Sequence, residues 1–423
     1  MASFFLIVEI LSYIFLIYVI FAKKELAIVY LPAFMFARGF AETVLSASVY
    51  YGVVSFLLIS CIIRNTSFFR NNIFALLIIV YFAFLIPKSS DLEAIRPYLF
   101  SVFWLFISIP LIAEISKKYN KEELFEEVSN SALLILILFI INVVFSTVYR
   151  FAPTEMYGIT SGILYGHLFA TDFNVLAIAI FLTTLKFLKN KKTFLLAVLV
   201  ISLAFLMLSM RRSVMSLGVL GVGMALLTLV NKREVKKFVM ISCAIFLIGY
   251  IIYTNTDFMS QFNERYALRN LDDRALEEEG RFLEYQLLYE DMFVHNDYSP
   301  WVGFELFNSE GNYGRKIFEM RSLHADLASI AHSSGIIGVL LYLLMVTTVF
   351  MKSFRAIIST TDKLLIFFCA IVFVLFTITG RFTELDSMLL LFLTLQLPLA
   401  NESSDIIDSE VDVVESKEIA IAG

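Results

Sequence analysis

Thirteen apolar runs, most of them about the length needed to cross a bilayer, dominate this chain and leave it few ways to fold. A transmembrane helix needs roughly 20 predominantly apolar residues, with a usual range of about 17–25. The runs are 3–22, 25–41, 44–63, 72–87, 97–115, 131–149, 172–188, 193–210, 213–230, 237–253, 334–351, 363–380 and 384–399. The runs 25–41, 72–87 and 384–399 are short enough to be tilted, half-inserted or merged with a neighbour, so the expectation is an all-α polytopic bundle of about 12–13 spans. Composition agrees. Hydrophobic residues make up 59% of the 423, with a mean hydropathy of +0.81. Soluble proteins are roughly 45–50% apolar, and the excess here does not fit inside one water-soluble core. The first run, Phe4 to Phe21, lacks a basic leader and a small-residue cleavage site, so it reads as a retained span. Cys61, Cys243 and Cys369 each lie inside an apolar run and read as packing residues.

Lys and Arg in short connections set orientation. The clusters are Lys23-Lys24, Arg64 with Arg70, Lys117-Lys118-Lys121, Lys186-Lys189-Lys191-Lys192, Lys232-Arg233-Lys236-Lys237, and Lys352 with Arg355. They fall at every second connection, which assigns all six to the cytoplasm. The opposite connections are 88–96, 150–171, the tight turn Ser209–Ser213, and a long segment 254–333. The expected organisation is a set of N-terminal transmembrane helices (1–171), a core domain (172–400) containing the loop 254–333, and an acidic, disordered cytoplasmic tail (401–423).

The loop is too long to be a simple connection. Phe282, Tyr285, Leu288, Tyr289, Met292 and Phe293 recur at helical spacing between Arg281 and Val294, and Ile317, Met320, Leu323, Leu327 and Ile330 do so from Lys316 onward. Two amphipathic helices near the membrane surface are expected, joined by Pro300–Gly314. No phosphate-binding glycine loop, dinucleotide fingerprint, Cys/His metal cluster or nucleic-acid-binding signal is present.

Charged residues at membrane depth are costly and mark functional sites. Here they gather at the ends of spans assigned outside: Arg38 with Glu42, Arg96, Asp172, Arg211 with Arg212, and Arg381 with Glu384 and Asp386. Arg281, Arg315, Arg321 and His324 join them from the loop. Arg211-Arg212 sits in a hairpin turn against the positive-inside bias. It reads equally as an anchor for an anionic group, because the guanidinium fork binds phosphate oxygens bidentately, or as a turn snorkelling to headgroups. His324, expected on a helix leading to Gly335, reads as a general base toward a hydroxyl or as a polar residue on a solvated face. His167, His295 and His332 have no better claim from spacing. Arg281 alone reads as a surface charge, Gly303 and Gly335 as turn or cap glycines, and Asp172 and Asn174 as caps of the following span.

Taken together, these elements resemble the O-antigen polymerase and O-antigen ligase superfamily of bacterial membrane glycosyltransferases. The resemblance covers roughly the second half of the chain. It is carried by Asp172-Phe-Asn174-Val-Leu-Ala177, the hairpin Ser209-Met-Arg-Arg-Ser213, the span Leu217-Gly-Val-Leu-Gly-Val-Gly223, the helix start Gly280-Arg281-Phe-Leu-Glu-Tyr, the turn Pro300-Trp-Val-Gly303, and His324 ahead of Gly335-Ile-Ile-Gly338. Phe304 stands where a second glycine often follows, and Ala325-Asp326 where Asn often follows the His. The resemblance implies a GT-C-like fold in the cytoplasmic (inner) membrane with its active site on the extracytoplasmic side. It implies an undecaprenyl-diphosphate-linked glycan donor and an acceptor that is a second carrier-linked glycan in a polymerase or the lipid A core in a ligase. It implies no cofactor and no metal, membrane lipids as surroundings, and a chain-length regulator as a further partner. On this reading Arg211, Arg212 and Arg281 bind the diphosphate, with Arg321, Arg38 and Arg96 in support, and His324 serves the acceptor hydroxyl. Polymerisation is favoured over ligation. A flippase without chemistry is the remaining alternative, though intramembrane charge in transporters lies near the midplane, not at one surface.

Overall fold

The computed structural model describes residues 2–40, 45–150, 166, 168, 173–209, 212–228, 247, 250, 260, 280–317, 319–380 and 383–401. Among these there is no β-strand; the only ladder-like contacts are isolated bridges. The α-helices are α1 (Ala2–Lys23), α2 (Leu31–Arg38), α3 (Ala47–Arg64), α4 (Ile73–Leu85), α5 (Leu92–Ser116), α6 (Lys121–Val148), α7 (Phe173–Asn190), α8 (Thr193–Leu208), α9 (Arg212–Leu227), α10 (Gly280–Tyr289), α11 (Asp326–Arg355), α12 (Thr360–Thr379) and α13 (Leu385–Leu395). Seven helical segments among the described residues are long and apolar enough to cross a membrane: Phe4–Arg38, Ala47–Arg64, Leu92–Ser116, Lys121–Val148, Phe173–Asn190, Asp326–Arg355 and Thr360–Thr379. Four shorter apolar helices accompany them, Ile73–Lys88, Thr193–Leu208, Ser213–Leu227 and Leu385–Leu395. The expected run 237–253 lies outside the described residues apart from 247 and 250.

The segment Phe4–Arg38 folds back on itself. Lys24 adopts a positive φ of 54° and turns the chain through a 3-10 stretch, Lys24–Tyr30, into α2. The ring pairs Phe15–Tyr30, Tyr13–Phe34 and Phe5–Phe40 fix the antiparallel register of this hairpin. Two expected span starts shift for local reasons. α5 begins at Leu92, before the expected 97, because the Asp91 carboxylate accepts the N–H groups of Glu93 and Ala94 at 3.0 Å each. Arg96 is therefore helical. α6 begins at Lys121, ten residues before the expected 131, with Asn120 as its cap and Glu122 and Glu123 in its first turn.

α7 and α13 are the most enclosed helices. α7 packs on α6, α8, α9 and α13, and α13 packs on α2, α5, α7 and α12. α13 has only 11 residues, yet all of them except Asp386 are buried among protein, where a short helix at membrane depth is tolerated. Outward-facing positions are apolar, among them Leu11, Phe21, Phe56, Ile63, Phe194, Phe367 and Val374. Water would not favour so much apolar surface, whereas lipid does.

The basic clusters meet at one end of the bundle. Lys23 pairs with Glu127 at 2.7 Å, Lys118 with Glu25 at 3.4 Å, Lys121 with Asp362 at 2.8 Å, Lys186 with Glu126 at 2.7 Å and Lys189 with Glu122 at 3.1 Å. Lys118 also donates to the Arg64 carbonyl, and Lys352 to the Asn71 carbonyl. The expected alternation thus holds for five of the six clusters; Lys232–Lys237 lies outside the described residues.

The long loop departs from expectation in its second half. α10 forms as expected and continues through a π turn, Glu290–Val294. The helix expected from Lys316 does not form. Arg315, Lys316 and Glu319 have positive φ of 49°, 66° and 51°, which breaks helical continuity, and regular helix resumes only at Asp326. α11 is itself broken at Gly335, where φ is 65° and ψ is −168°, a region open essentially to glycine alone. The turn Pro300–Gly303 plugs this break. The N–H of Ile336 donates to the Pro300 carbonyl at 2.9 Å and the N–H of Phe304 to the His332 carbonyl at 2.7 Å. Tyr81 of α4 donates its hydroxyl to the Ser334 carbonyl at 2.8 Å. A Cβ on Gly335 would lie 2.3 Å from the Trp301 carbonyl atoms, and one on Gly303 would lie 2.4 Å from the His332 oxygen.

Gly335→Ala is therefore expected to destabilise the protein by on the order of 3 kcal/mol through steric and torsional strain. Gly303→Ala should act similarly. Gly52→Ala, where a Cβ meets nothing within 4 Å, should be neutral or slightly stabilising. Thermal unfolding of the three variants in one detergent separates these outcomes.

Candidate functional site

α10 presents two faces. Leu287, Leu288 and Met292 turn inward onto Tyr313, Leu323, Ala325 and Ala328, while Phe282, Tyr285, Tyr289 and Phe293 stay exposed. Glu284 lies on the inward face, one turn before Leu287 and Leu288, and is 0% exposed. A carboxylate there is costly unless every lone pair is matched. Its Oε1 accepts from Nη2 of Arg321 at 2.8 Å, and Nδ1 of His324 stands 3.4 Å from the same oxygen. Its Oε2 accepts the backbone N–H groups of His324 at 2.9 Å and Ala325 at 3.2 Å. Arg321 Nε also reaches His324 Nδ1, at 3.3 Å. Burial pushes the Glu284 carboxyl up, but the His324 ring beside it and the two backbone N–H groups outweigh it and hold the group below its ordinary value.

These bonds explain why residues 321–325 are not helical. The N–H groups of His324 and Ala325, which a helix would need for its own ladder, are spent on Glu284. His324 therefore stands just before α11, not on a helix as expected, with its side chain 43% exposed above a buried anion. From the far side Gly380, which ends α12 with a φ of 77°, packs so closely that a Cβ there would lie 1.3 Å from the His324 oxygen. Arg381 follows directly in sequence; its own placement lies outside the described residues.

His324 and Arg321 are thus brought together. Arg281 sits in α10 one turn ahead of Glu284, and Arg212 opens α9, but the side chains of both lie outside the described part, as does Arg211 entirely. Arg38 ends α2 with its guanidinium 3.7 Å over the Tyr50 ring. Arg96 is exposed on α5. Neither is joined to the Glu284 cluster by a hydrogen bond or ion pair among the described residues. Asn174 donates to Glu384 at 3.2 Å, joining the starts of α7 and α13, while Glu42, Asp172 and His167 are outside the described residues. His332 is buried, bonded through Nε2 to the Asn312 carbonyl at 3.0 Å and flanked by Tyr298 and Phe304, which makes it part of the loop's packing. His295 is exposed. Among the described residues, no group of His, Cys, Asp and Glu is arranged to hold a metal ion.

Sequence reasoning missed Glu284 as the centre of this cluster. The available signal was an acidic residue on the apolar face of an amphipathic helix, three positions after Arg281. No protein-family model matches this chain, and no curated protein matches it.

A carboxyl held below its ordinary value stabilises the docked segment at neutral pH, because the undocked state binds the proton more readily. The contribution is complete above about pH 4.3, the ordinary glutamate value, and is lost as the pH falls through the lowered value of the docked state. Asp291, buried beside Gly314 and shifted upward by that burial, carries the opposite sign. Protection of residues 319–325 from proteolysis is therefore expected to fall below about pH 4.3. Glu284→Ala, which strips acceptors from three donors at a cost of about 1–3 kcal/mol, should lower protection at every pH and abolish the acid step.

Proposed function

We propose that this protein is a membrane glycosyltransferase of GT-C-like architecture. It polymerises undecaprenyl-diphosphate-linked oligosaccharide repeat units into O-antigen or another surface polysaccharide, on the extracytoplasmic side of the bacterial cytoplasmic membrane. The observation that carries this reading is the seating of a half-exposed histidine and an arginine on one buried carboxylate, at the end of the bundle away from the basic layer. The family resemblance of the second half of the chain supplies the substrate class.

The chemistry follows from the residue types. The acceptor hydroxyl oxygen forms a bond to the anomeric carbon of the donor glycan as the bond from that carbon to the carrier diphosphate breaks. The electron pair leaves with the diphosphate, and the hydroxyl proton goes to His324. Negative charge grows on the leaving group, so preorganised guanidinium groups lower the barrier. Arg321 and Arg281 belong to the helix and segment that carry Glu284 and His324. Arg211 and Arg212 are the proposed partners from the hairpin, and Arg38 and Arg96 are assigned a lesser part. With a lipid A core as acceptor, the same steps describe ligation.

The test is reconstitution of the purified protein with a carrier-linked repeat unit, with and without a lipid A core. A product ladder from the donor alone, reduced at least about 100-fold in His324→Ala and by about 10²–10³ in Arg321→Ala, is the expected result. Product formed only when the core is present would reassign the protein as a ligase. No product under either condition from well-folded protein would favour a flippase and end the enzymatic reading.

A further inference from the structure

The Glu284–Arg321 pair does more than hold a loop. It offers the inner nitrogen of His324 a partner in either protonation state. When Nδ1 is bare, it accepts from Arg321 Nε, 3.3 Å away, and the ring proton sits on Nε2. When Nδ1 carries the proton, it faces Glu284 Oε1, 3.4 Å away, and Nε2 is left with a lone pair. Which ring nitrogen is protonated is set by the hydrogen bond that the other one makes, and here the two partners pull in opposite directions. Only the second arrangement lets the outer nitrogen accept a proton.

We propose that Glu284 is a positioning residue that makes the Nδ1–H form of His324 available and so leaves Nε2 as the nitrogen that takes a proton. Its catalytic consequence rests on the glycosyl-transfer reading above; the tautomer assignment does not. The division of labour between the two carboxylate oxygens supports it. Oε2 is committed to the backbone N–H groups of His324 and Ala325, which fixes the main chain. Oε1 is the oxygen facing the ring, shared with Arg321 at 2.8 Å. Among the described residues, the other titratable groups facing the pair are Tyr285, next to Glu284 in α10, Tyr313, packed against α10, and Asp326, buried at the start of α11.

Glutamine at position 284 separates the two tasks. Its carbonyl can replace Oε2 and keep the backbone bonds. Its amide –NH₂, in the place of Oε1, gives up the bond from Arg321 Nη2, faces Nδ1 as a donor and forces the ring proton onto Nε2. Removing Arg321 does the reverse, because it leaves Glu284 as the partner of Nδ1. The two variants therefore shift the tautomer in opposite directions, which a general loss of structure does not do.

The chain has four histidines, so selective ¹⁵N-histidine labelling of the full-length protein in detergent gives a spectrum simple enough to read. The His324 signals are identified by their loss in His324→Asn. At a pH where the ring is neutral, the wild type is expected to show a measurable Nδ1–H fraction. Glu284→Gln should show the Nε2–H form alone, and Arg321→Met an increased Nδ1–H fraction. In the reconstituted reaction, Glu284→Gln should lower kcat by about 100-fold with little change in KM. Unchanged tautomer ratios in both variants would overturn the inference, whether or not the protein makes polymer. The expected ratios from a protein that transfers no glycan would leave the tautomer assignment standing and remove only its catalytic consequence.

Discussion

A chain in lipid has no water to satisfy its backbone, so every N–H and C=O at membrane depth must find a partner within the protein. That constraint makes the bundle helical, and it is tested most severely where α11 breaks at Gly335. The break frees a carbonyl at His332 and an N–H at Ile336, and the turn Pro300–Phe304 supplies one group for each. Tyr81 from α4 takes the Ser334 carbonyl. The long loop is therefore part of the membrane helix it precedes. The site inherits its rigidity from this arrangement, because the segment carrying Arg321 and His324 is fixed by α10 on one side and by the first turn of α11 on the other.

Within that frame the electrostatics turn on one buried anion. Glu284 carries a full desolvation cost, offset by an arginine, two main-chain N–H groups and the edge of an imidazole. Removing one partner from such a cluster costs more than the pair contributes when intact. Arg321 and His324 are kept half-exposed, while the group that organises them is not exposed at all. Charge directed outward from a buried counter-ion is suited to meeting an anionic substrate without rearrangement.

The helical bundle was legible in the apolar runs, and the sidedness of the charges in the spacing of lysines and arginines. Both signals are collective, so local irregularities at Lys24, Asp91 or Asn120 shift boundaries without erasing them. The loop was legible only in part. α10 declared itself through its periodicity. The expected second helix failed because a tertiary acceptor, Glu284, competes for the N–H groups of His324 and Ala325, and periodicity carries no information about a side chain forty residues away. For the same reason Glu284 itself stayed hidden: in sequence it is one acidic residue beside a tyrosine. Gly303 and Gly335 were visible as glycines, but their mutual fit depends on two distant backbones touching.

α12 ties the two ends of the molecule together. Near its start Asp362 takes Lys121 of the basic layer, and at its end Gly380 rests on the His324 carbonyl. Its 20 residues, at about 1.5 Å each, make a rod of about 30 Å, which is also about the thickness of the hydrocarbon core of a bilayer. The helix thus acts as a height gauge, holding the His324 main chain one hydrocarbon thickness from the lysine layer. A bond attached directly to a lipid phosphate stands at that height. A bond several sugars farther out does not, so on the glycosyl-transfer reading proposed above the gauge would sort substrates by the distance of their reactive atom from the lipid before any side chain reads its chemistry.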